Sequence, residues 1–209
     1  MKKYIATIFC LCSLLAEAKI NKTIDNNFLD YEATSISELI KQIKKHGSQV
    51  TGQHVWAKLY WDLNVEYRYK SNSNGCQFIA EGIYVVAEIT LPRWTNVSQT
   101  SPKVQAWWQK FSDFITQHEL THSEKIVQHA EKLANLLKKP TIYPSCKESR
   151  SAYLAIKQEI LNDIYRADKS LDSIAKRRFN ANDELFTPLK ESGSVFIIES
   201  GPMRSYIGL

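Results

Sequence analysis

The segment His118-Glu119-Leu120-Thr121-His122 carries the residue types best suited to metal chemistry in this chain. It lies inside a long run with helical periodicity, where residues i and i+4 stand one above the other on a helix face. Two imidazoles placed in this way can share one Zn²⁺ ion, each through a neutral ring nitrogen. Glu119 can then take a proton from a zinc-bound water. The spacing therefore predicts His118 and His122 as zinc ligands and Glu119 as the general base.

The two histidines occupy the apolar face of their predicted helix, which spans residues 102–139. Its stripe at helical spacing comprises Val104, Trp108, Phe111, Ile115, Ile126, Leu133 and Leu137. His118 and His122 fill the gap in this stripe, so both side chains should face the interior, where polar groups need partners. Core histidines satisfied by hydrogen bonds are the alternative, but they leave Glu119 unexplained.

A zinc site needs a third protein ligand, and the sequence offers three candidates. His129 lies about 10 Å further along the same helix than His122, with no Gly or Pro between them to break the helix. Glu159 precedes Asp163 by four residues on the next predicted helix, and this spacing resembles the third ligand and histidine-orienting residue of thermolysin-like gluzincins. The last candidate is an unplaced residue among the final thirty. We take Glu159 as the predicted third ligand.

The N-terminal half of the chain has the pattern of a β-hairpin. Strict alternation over residues 55–70 predicts a strand with one buried face. A turn cluster at 71–75 leads into a second strand, roughly 77–91, which Pro92 should stop. Before the hairpin, polar residues 19–27 predict a loose segment, and residues 28–33 suit a short strand.

Capping signals mark the helices that should position the site. Ser35 and Glu38 form a capping box ahead of a short helix, and Ser145 and Glu148 form another ahead of a helix over 145–179. The predicted fold is therefore α+β and zincin-like. A long antiparallel β-hairpin packs against two long helices, of which the first carries the His-Glu-x-x-His motif.

Residues 1–18 have the layout of a secretory signal. Lys2 and Lys3 precede an apolar run at 5–16, and Ala16-Glu17-Ala18 supplies the small residues of a cleavage site. The run is too short for a bilayer span, although a short membrane anchor is the alternative. We predict cleavage after Ala18 and a bacterial protein that is periplasmic or secreted, with no stable membrane insertion after cleavage.

This processing divides the chain into a signal peptide (1–18), a zincin-like metallopeptidase domain (19–179) and a C-terminal tail of unknown role (180–209), with a strand suggested at 195–199. Cys76 and Cys146 remain after cleavage, and an exported pair is most simply a disulfide. Metal binding by both thiols is the alternative, although neither has a ligand-like partner nearby. Cleavage lowers the formal charge from +5 to +4, spread along the chain, which argues against a nucleic-acid partner.

Several of these features together resemble the bacterial predicted secreted zinc-dependent protease family, a domain of unknown function. They are Leu91-Pro92-Arg93-Trp94, Trp108, Phe111 and the His-Glu-x-x-His motif, and Cys76 and Cys146 sit where that family tends to have them. The resemblance covers roughly residues 31–179. It implies an exported bacterial protein with metallopeptidase activity.

One segment departs from that family. The family usually closes the second helix with Tyr-Asp-x-x-Thr-x-His-Gly, whereas residues 171–178 here read Leu-Asp-Ser-Ile-Ala-Lys-Arg-Arg. Asp172 is kept, but the Thr, the His and the Gly are not. If that His is the usual third ligand, then Glu159 or another residue substitutes for it, or zinc is bound poorly.

The sequence thus predicts an exported zinc metallopeptidase. In this hypothesis Zn²⁺ polarises the scissile carbonyl, and Glu119 activates the water and then protonates the leaving amine. The expected partner is a peptide or protein substrate, and cell-wall peptides fit the same site. The alternative, which the altered 175–178 stretch favours, is a non-catalytic envelope binding protein that retains the zincin fold.

Overall fold

The computed structural model describes residues 19–50, 53–181 and 183–192. The strands are β1 (Lys19–Tyr31), β2 (Gln49–Val50), β3 (Gln53–His54), β4 (Lys58–Asn72), β5 (Gly75–Trp94) and β6 (Ile142–Tyr143). The helices are α1 (Ile36–His46), α2 (Pro102–Leu137), α3 (Cys146–Asn180) and α4 (Thr187–Glu191), with 3-10 turns at Val97–Gln99 and Glu184–Phe186. The signal peptide predicted at 1–18 and the strand suggested at 195–199 lie outside the described residues.

The predicted hairpin forms the centre of the sheet, which has the strand order β1-β5-β4, with β6 pairing at the start of β5. The hairpin closes with Asn72 opposite Gly75, and its register shifts once between Glu66 and Tyr67. Gly75 has a φ of +128°, which side chains other than glycine rarely adopt, so the turn requires a glycine there. The prediction of a long antiparallel hairpin is confirmed.

The edge of the sheet differs from the prediction. Residues 19–27, predicted to be loose, belong to β1, which pairs in parallel with β5 from Lys19 opposite Gly82 to Tyr31 opposite Trp94. Most β1 side chains are exposed, so backbone pairing rather than apolar alternation fixes this strand. β5 also continues past Pro92, because a proline removes only one backbone donor and the ladder to β1 goes on.

Two apolar clusters hold the elements together. The cluster between the hairpin and the two long helices includes Leu59, Leu63, Ile83, Ile89, Ile126, Leu133, Ile160 and Ile164. The other joins α1, the first half of α2 and the C-terminal segment, and includes Leu39, Trp56, Trp94, Trp108, Phe111, Phe186 and Leu189. Phe186 and Leu189 are fully buried. Residues 183–192, which belong to the predicted C-terminal tail, therefore contribute to the core.

A capping hydrogen bond and a disulfide fix the start of α3. The Ser145 hydroxyl accepts a hydrogen bond from the Glu148 amide, as the predicted capping box requires. A disulfide joins Cys146 to Cys76, across a sequence separation of 70 residues, at the beginning of β5. The predicted pairing is therefore present. Within the described ranges, none of the helices combines the length and apolar character needed to cross a bilayer.

Candidate metal centre

Two pairs of side chains meet between α2 and α3. His118 lies against Asp172, and His122 lies against Asp168. The residue numbers rise along one helix as they fall along the other, so the helices are antiparallel. A spacing of four residues puts both members of each pair on one helix face. The antiparallel packing of these two faces therefore builds one cluster of two imidazoles and two carboxylates.

Three atoms of this cluster form a small triangle. His122 Nε2 lies 3.0 Å from His118 Nε2 and 3.1 Å from Asp172 Oδ1, and His118 Nε2 lies 3.2 Å from Asp172 Oδ1. In a tetrahedral zinc site with bonds of 2.0–2.1 Å, neighbouring ligand atoms are about 3.3 Å apart. The triangle is within a few tenths of an ångström of that spacing. These three residues could therefore hold a metal ion.

Asp168 fixes how the His122 ring is oriented. His122 Nδ1 donates a hydrogen bond of 2.8 Å to Asp168 Oδ1, and both side chains are buried. A neutral ring that carries its proton on Nδ1 presents the lone pair of Nε2 to His118 and Asp172. Carboxylates that hold the second nitrogen of a ligating histidine serve this purpose in metal sites. The donor set therefore fits a metal ion in its geometry and in the direction of its lone pairs.

Negative charge around His122 makes the cluster a site for cations. Burial acts to lower the pKa of His122, but hydrogen bonds to the Asp168 and Asp172 carboxylates outweigh burial and raise it to about 9. A proton and a metal ion compete for the same nitrogen, so metal binding must displace the proton. We therefore expect the affinity for a metal ion to rise as pH increases towards 9, because fewer molecules then carry the proton on His122.

Glu119 lies beside the cluster and is almost completely buried, with 1 % of its surface exposed. Neither carboxylate oxygen has a hydrogen-bond partner among the described residues. Burial raises the pKa of Glu119 to about 7, while the charge on His122 opposes this rise and those on Asp172 and Asp168 add to it. A buried carboxyl group without partners is costly to the fold. Such perturbed groups cluster at functional sites.

The structure does not bring Glu159, the predicted third ligand, to the two histidines. Its side chain is exposed, and its charge acts on Lys132. Glu159 lies nine residues before Asp168 on α3, about 13 Å along the helix axis. The carboxylate that completes the triangle is instead that of Asp172.

The other residues considered as ligands lie elsewhere. His129 is half-buried, and its Nδ1 lies 2.7 Å from the carbonyl oxygen of Lys125. Cys76 and Cys146 are joined to each other. Arg177, which takes the place of the family's histidine, is exposed and donates to the Ser173 hydroxyl.

Asp168 and Asp172 are the site residues that the sequence analysis missed. Asp172 is the acidic residue retained in the altered segment, but the sequence pattern does not mark it as a ligand. The two aspartates have the same spacing of four residues as Glu159 and Asp163. The signal was therefore an acidic pair on the second helix, and the error lay in choosing which pair faces the histidines.

Comparison with known proteins identifies a family for this chain. The family model described as "Bacterial protein of unknown function (DUF922)" matches residues 27–178. The matched range contains the hairpin, α2 and all the residues of the metal centre. No curated protein and no solved structure matches the chain.

Proposed function

The chain belongs to this bacterial DUF922 family of unknown function, and we propose that it is an exported zinc-dependent hydrolase that cleaves peptide bonds. His118, His122 and Asp172 would hold the ion, because two imidazoles and a carboxylate are a common ligand set of catalytic zinc. Zn²⁺ bound there would polarise a carbonyl group and lower the pKa of a water molecule. The argument comes from the site, since a fold alone does not determine a function.

The observation that carries the proposal is the state of Glu119. Its carboxyl group is buried beside the three candidate ligands, and both its oxygens are without partners among the described residues. In the metal-free protein burial raises the pKa of Glu119 to about 7, so the carboxyl group can bind a proton near neutral pH, as a general base that later acts as an acid must. Glu119 would take the proton of the attacking water and deliver it to the leaving amine.

Asp168 and Asp172 have separate roles in this proposal. Asp168 holds the imidazole of His122 through Nδ1, so the ring cannot turn away from the cluster. Asp172 supplies the third donor atom and comes from the opposite helix, so the site exists only when α2 and α3 are packed together. The chemistry would therefore depend on the helical hairpin and on the disulfide that anchors its second helix.

Replacing Glu119 with glutamine tests the proposal. The variant keeps the shape of the side chain but cannot accept a proton, so zinc should remain bound while hydrolysis of a complex peptide mixture, followed by mass spectrometry, is lost. Glu159→Gln is the matched control, because Glu159 is an exposed carboxyl group on α3. The control should cleave at the wild-type rate. Undiminished cleavage by Glu119→Gln would exclude the proposed mechanism.

Export also belongs to the proposal. The disulfide between Cys76 and Cys146 is compatible with an oxidising compartment, and the leader predicted at 1–18 would direct the chain there. The substrate would then be a peptide or protein in the bacterial periplasm or outside the cell, cell-wall peptides included. A trapped precursor that retains residues 1–18 would be found in the membrane fraction, and the mature protein should begin at Lys19.

A second function is favoured by the low exposure of the cluster. The side chains of His118, His122 and Asp172 are 7 %, 0 % and 20 % exposed, which also suits a metal ion that only holds two helices together. The protein would then be a non-catalytic envelope binding protein. In that case zinc would be present, no peptide would be cleaved, and Glu119→Gln would differ from the wild type only in stability.

A further inference from the structure

A cavity of about 260 Å³ opens between α2 and α3 next to the metal centre. One wall is the ring of His118, whose Nε2 belongs to the ligand triangle. Phe114 lies beside it with its ring centroid 6.2 Å from that of His118. A molecule in this cavity would therefore lie one imidazole ring away from the metal centre.

The lining of the cavity is predominantly apolar, although Gln117 and Thr121 contribute uncharged polar side chains. Phe114, Leu171, Ile174 and Ala175 line it, and Ile174 is 45 % exposed at this surface. An isoleucine side chain exposed to that extent keeps much of its apolar surface in water. Covering that surface with another apolar group would therefore be favourable.

The charged group at the cavity is already engaged. Arg178 lines the cavity, and its guanidinium forms an ion pair with Asp183 at 2.7 Å. The same guanidinium lies 4.8 Å from the Phe114 ring centroid and 6.0 Å from that of Phe186. These contacts hold one wall in place before any ligand arrives, and they offset the charge that would otherwise select an anionic ligand.

The volume limits what the cavity can hold. Pockets for drug-sized ligands are about 300–1,000 Å³, so this one is suited to a single large side chain rather than a whole small molecule. We propose that the cavity binds one apolar side chain of the substrate, aromatic or long aliphatic, adjacent to the bond that is cleaved. This inference rests on the proposed function and adds a substrate preference to it.

Two probes test the cavity without requiring hydrolysis. N-acetyl-L-phenylalaninamide and N-acetylglycinamide differ only in the apolar side chain, and their binding can be followed by NMR through the methyl groups of Leu171 and Ile174. Both the metal-free and the zinc-loaded protein are titrated. The phenylalanine probe should bind about tenfold more tightly or better, as expected for burying one such side chain.

Ile174→Trp should remove this preference, because an indole at the mouth fills the space that the probe would occupy. Lys176→Trp is the control, since Lys176 is exposed on another face of the same helix and does not line the cavity. Thermal unfolding confirms that both variants are folded. Loss of the preference in Ile174→Trp alone supports the proposal. Equal binding of the two probes to the wild type, or a preference that survives Ile174→Trp, would overturn it.

Cleavage then separates this inference from the function on which it rests. On peptides that differ by Gly or Phe next to the cleaved bond, the wild type should show a kcat/KM about tenfold higher for Phe, and Ile174→Trp should reduce that ratio. Cleavage with no preference overturns the assignment of the cavity and leaves the hydrolase intact. If the protein neither binds zinc nor cleaves peptides, the proposed hydrolase function is rejected. The probe titration then still decides whether the cavity selects apolar side chains.

Discussion

Replacing Glu119 with glutamine should make the metal-free protein more stable at alkaline pH, although the same change should abolish hydrolysis. Folding raises the pKa of this carboxyl group from its ordinary value of 4.5 to about 7, chiefly because the group is buried. The folded protein therefore binds the proton more tightly than the unfolded chain does. The stability that the fold gains from protonated Glu119 is fully present below pH 4.5 and is lost as pH rises through 7.

The size of the effect follows from the same two pKa values. Holding the ionised carboxylate in the fold at pH 8 costs roughly 3 kcal/mol relative to the protonated form. Glutamine resembles the protonated carboxyl group in shape and in having no charge. Glu119→Gln should therefore match the wild type near pH 4.5 and exceed it at pH 8 by up to about 3 kcal/mol.

Urea unfolding of chelator-treated protein between pH 4.5 and pH 8.5 measures this difference directly. Circular dichroism reports the helices, and the disulfide is kept oxidised throughout. Glu159→Gln serves as the matched control, because that carboxyl group is exposed and its removal should change stability little. With saturating Zn²⁺ the gap should shrink, since a nearby cation favours the ionised form of Glu119.

Two results would refute this reasoning. A stability difference that does not vary between pH 4.5 and pH 8.5 would mean that Glu119 has no raised pKa in the fold. A glutamine variant that is less stable than the wild type at pH 8 would mean that the carboxylate has partners inside the protein that favour its charge.

Three further changes probe the elements around the site. Asp168→Asn should weaken metal binding by about 10- to 100-fold, measured by competition with a chelator, because His122 loses the carboxylate that orients it; unchanged affinity would remove Asp168 from the site. Replacing Cys76 and Cys146 by serine should lower the free energy of unfolding by about 4 kcal/mol, since the bridge closes a loop of about 70 residues. Phe186→Ala should cost about 3–5 kcal/mol in urea unfolding because Phe186 is fully buried, and a loss below about 1 kcal/mol would show that the C-terminal segment is not part of the core.

Elements with a strong local pattern could be predicted from the sequence. The hairpin follows from alternating apolar residues. The two long helices follow from their apolar stripes, and the capping box at Ser145 marks the start of α3. The motif on α2 also located His118, Glu119 and His122, because i and i+4 on one helix are fixed by helix geometry alone.

The predictions that were wrong concern the way in which separate segments of the chain meet. β1 is a polar edge strand whose structure comes from pairing with a partner about sixty residues away, so its own sequence has no strand pattern. The sequence favours Glu159 because its spacing to Asp163 resembles that of gluzincins. Two helices folded symmetrically about the middle of their connection would place roughly residues 161–165 opposite the histidines.

The actual pairing is shifted by about seven residues, or two helical turns. The connection contains β6, in which Tyr143 pairs with Cys76 of β5, and Cys146 is bonded to the same Cys76. These contacts hold the start of α3 beyond the end of α2. Asp168 and Asp172 are therefore brought level with the histidines, and this displacement is a tertiary effect that helix periodicity does not encode.

The measurement closest to the central claim is elemental analysis of the purified mature protein and three variants. The proposed function predicts about one zinc per chain in the wild type, loss of that zinc in His122→Ala and Asp172→Ala, and retention in Glu159→Ala. Retention of zinc by Asp172→Ala with loss in Glu159→Ala would contradict the ligand set, and a wild type without zinc would contradict the metal centre itself.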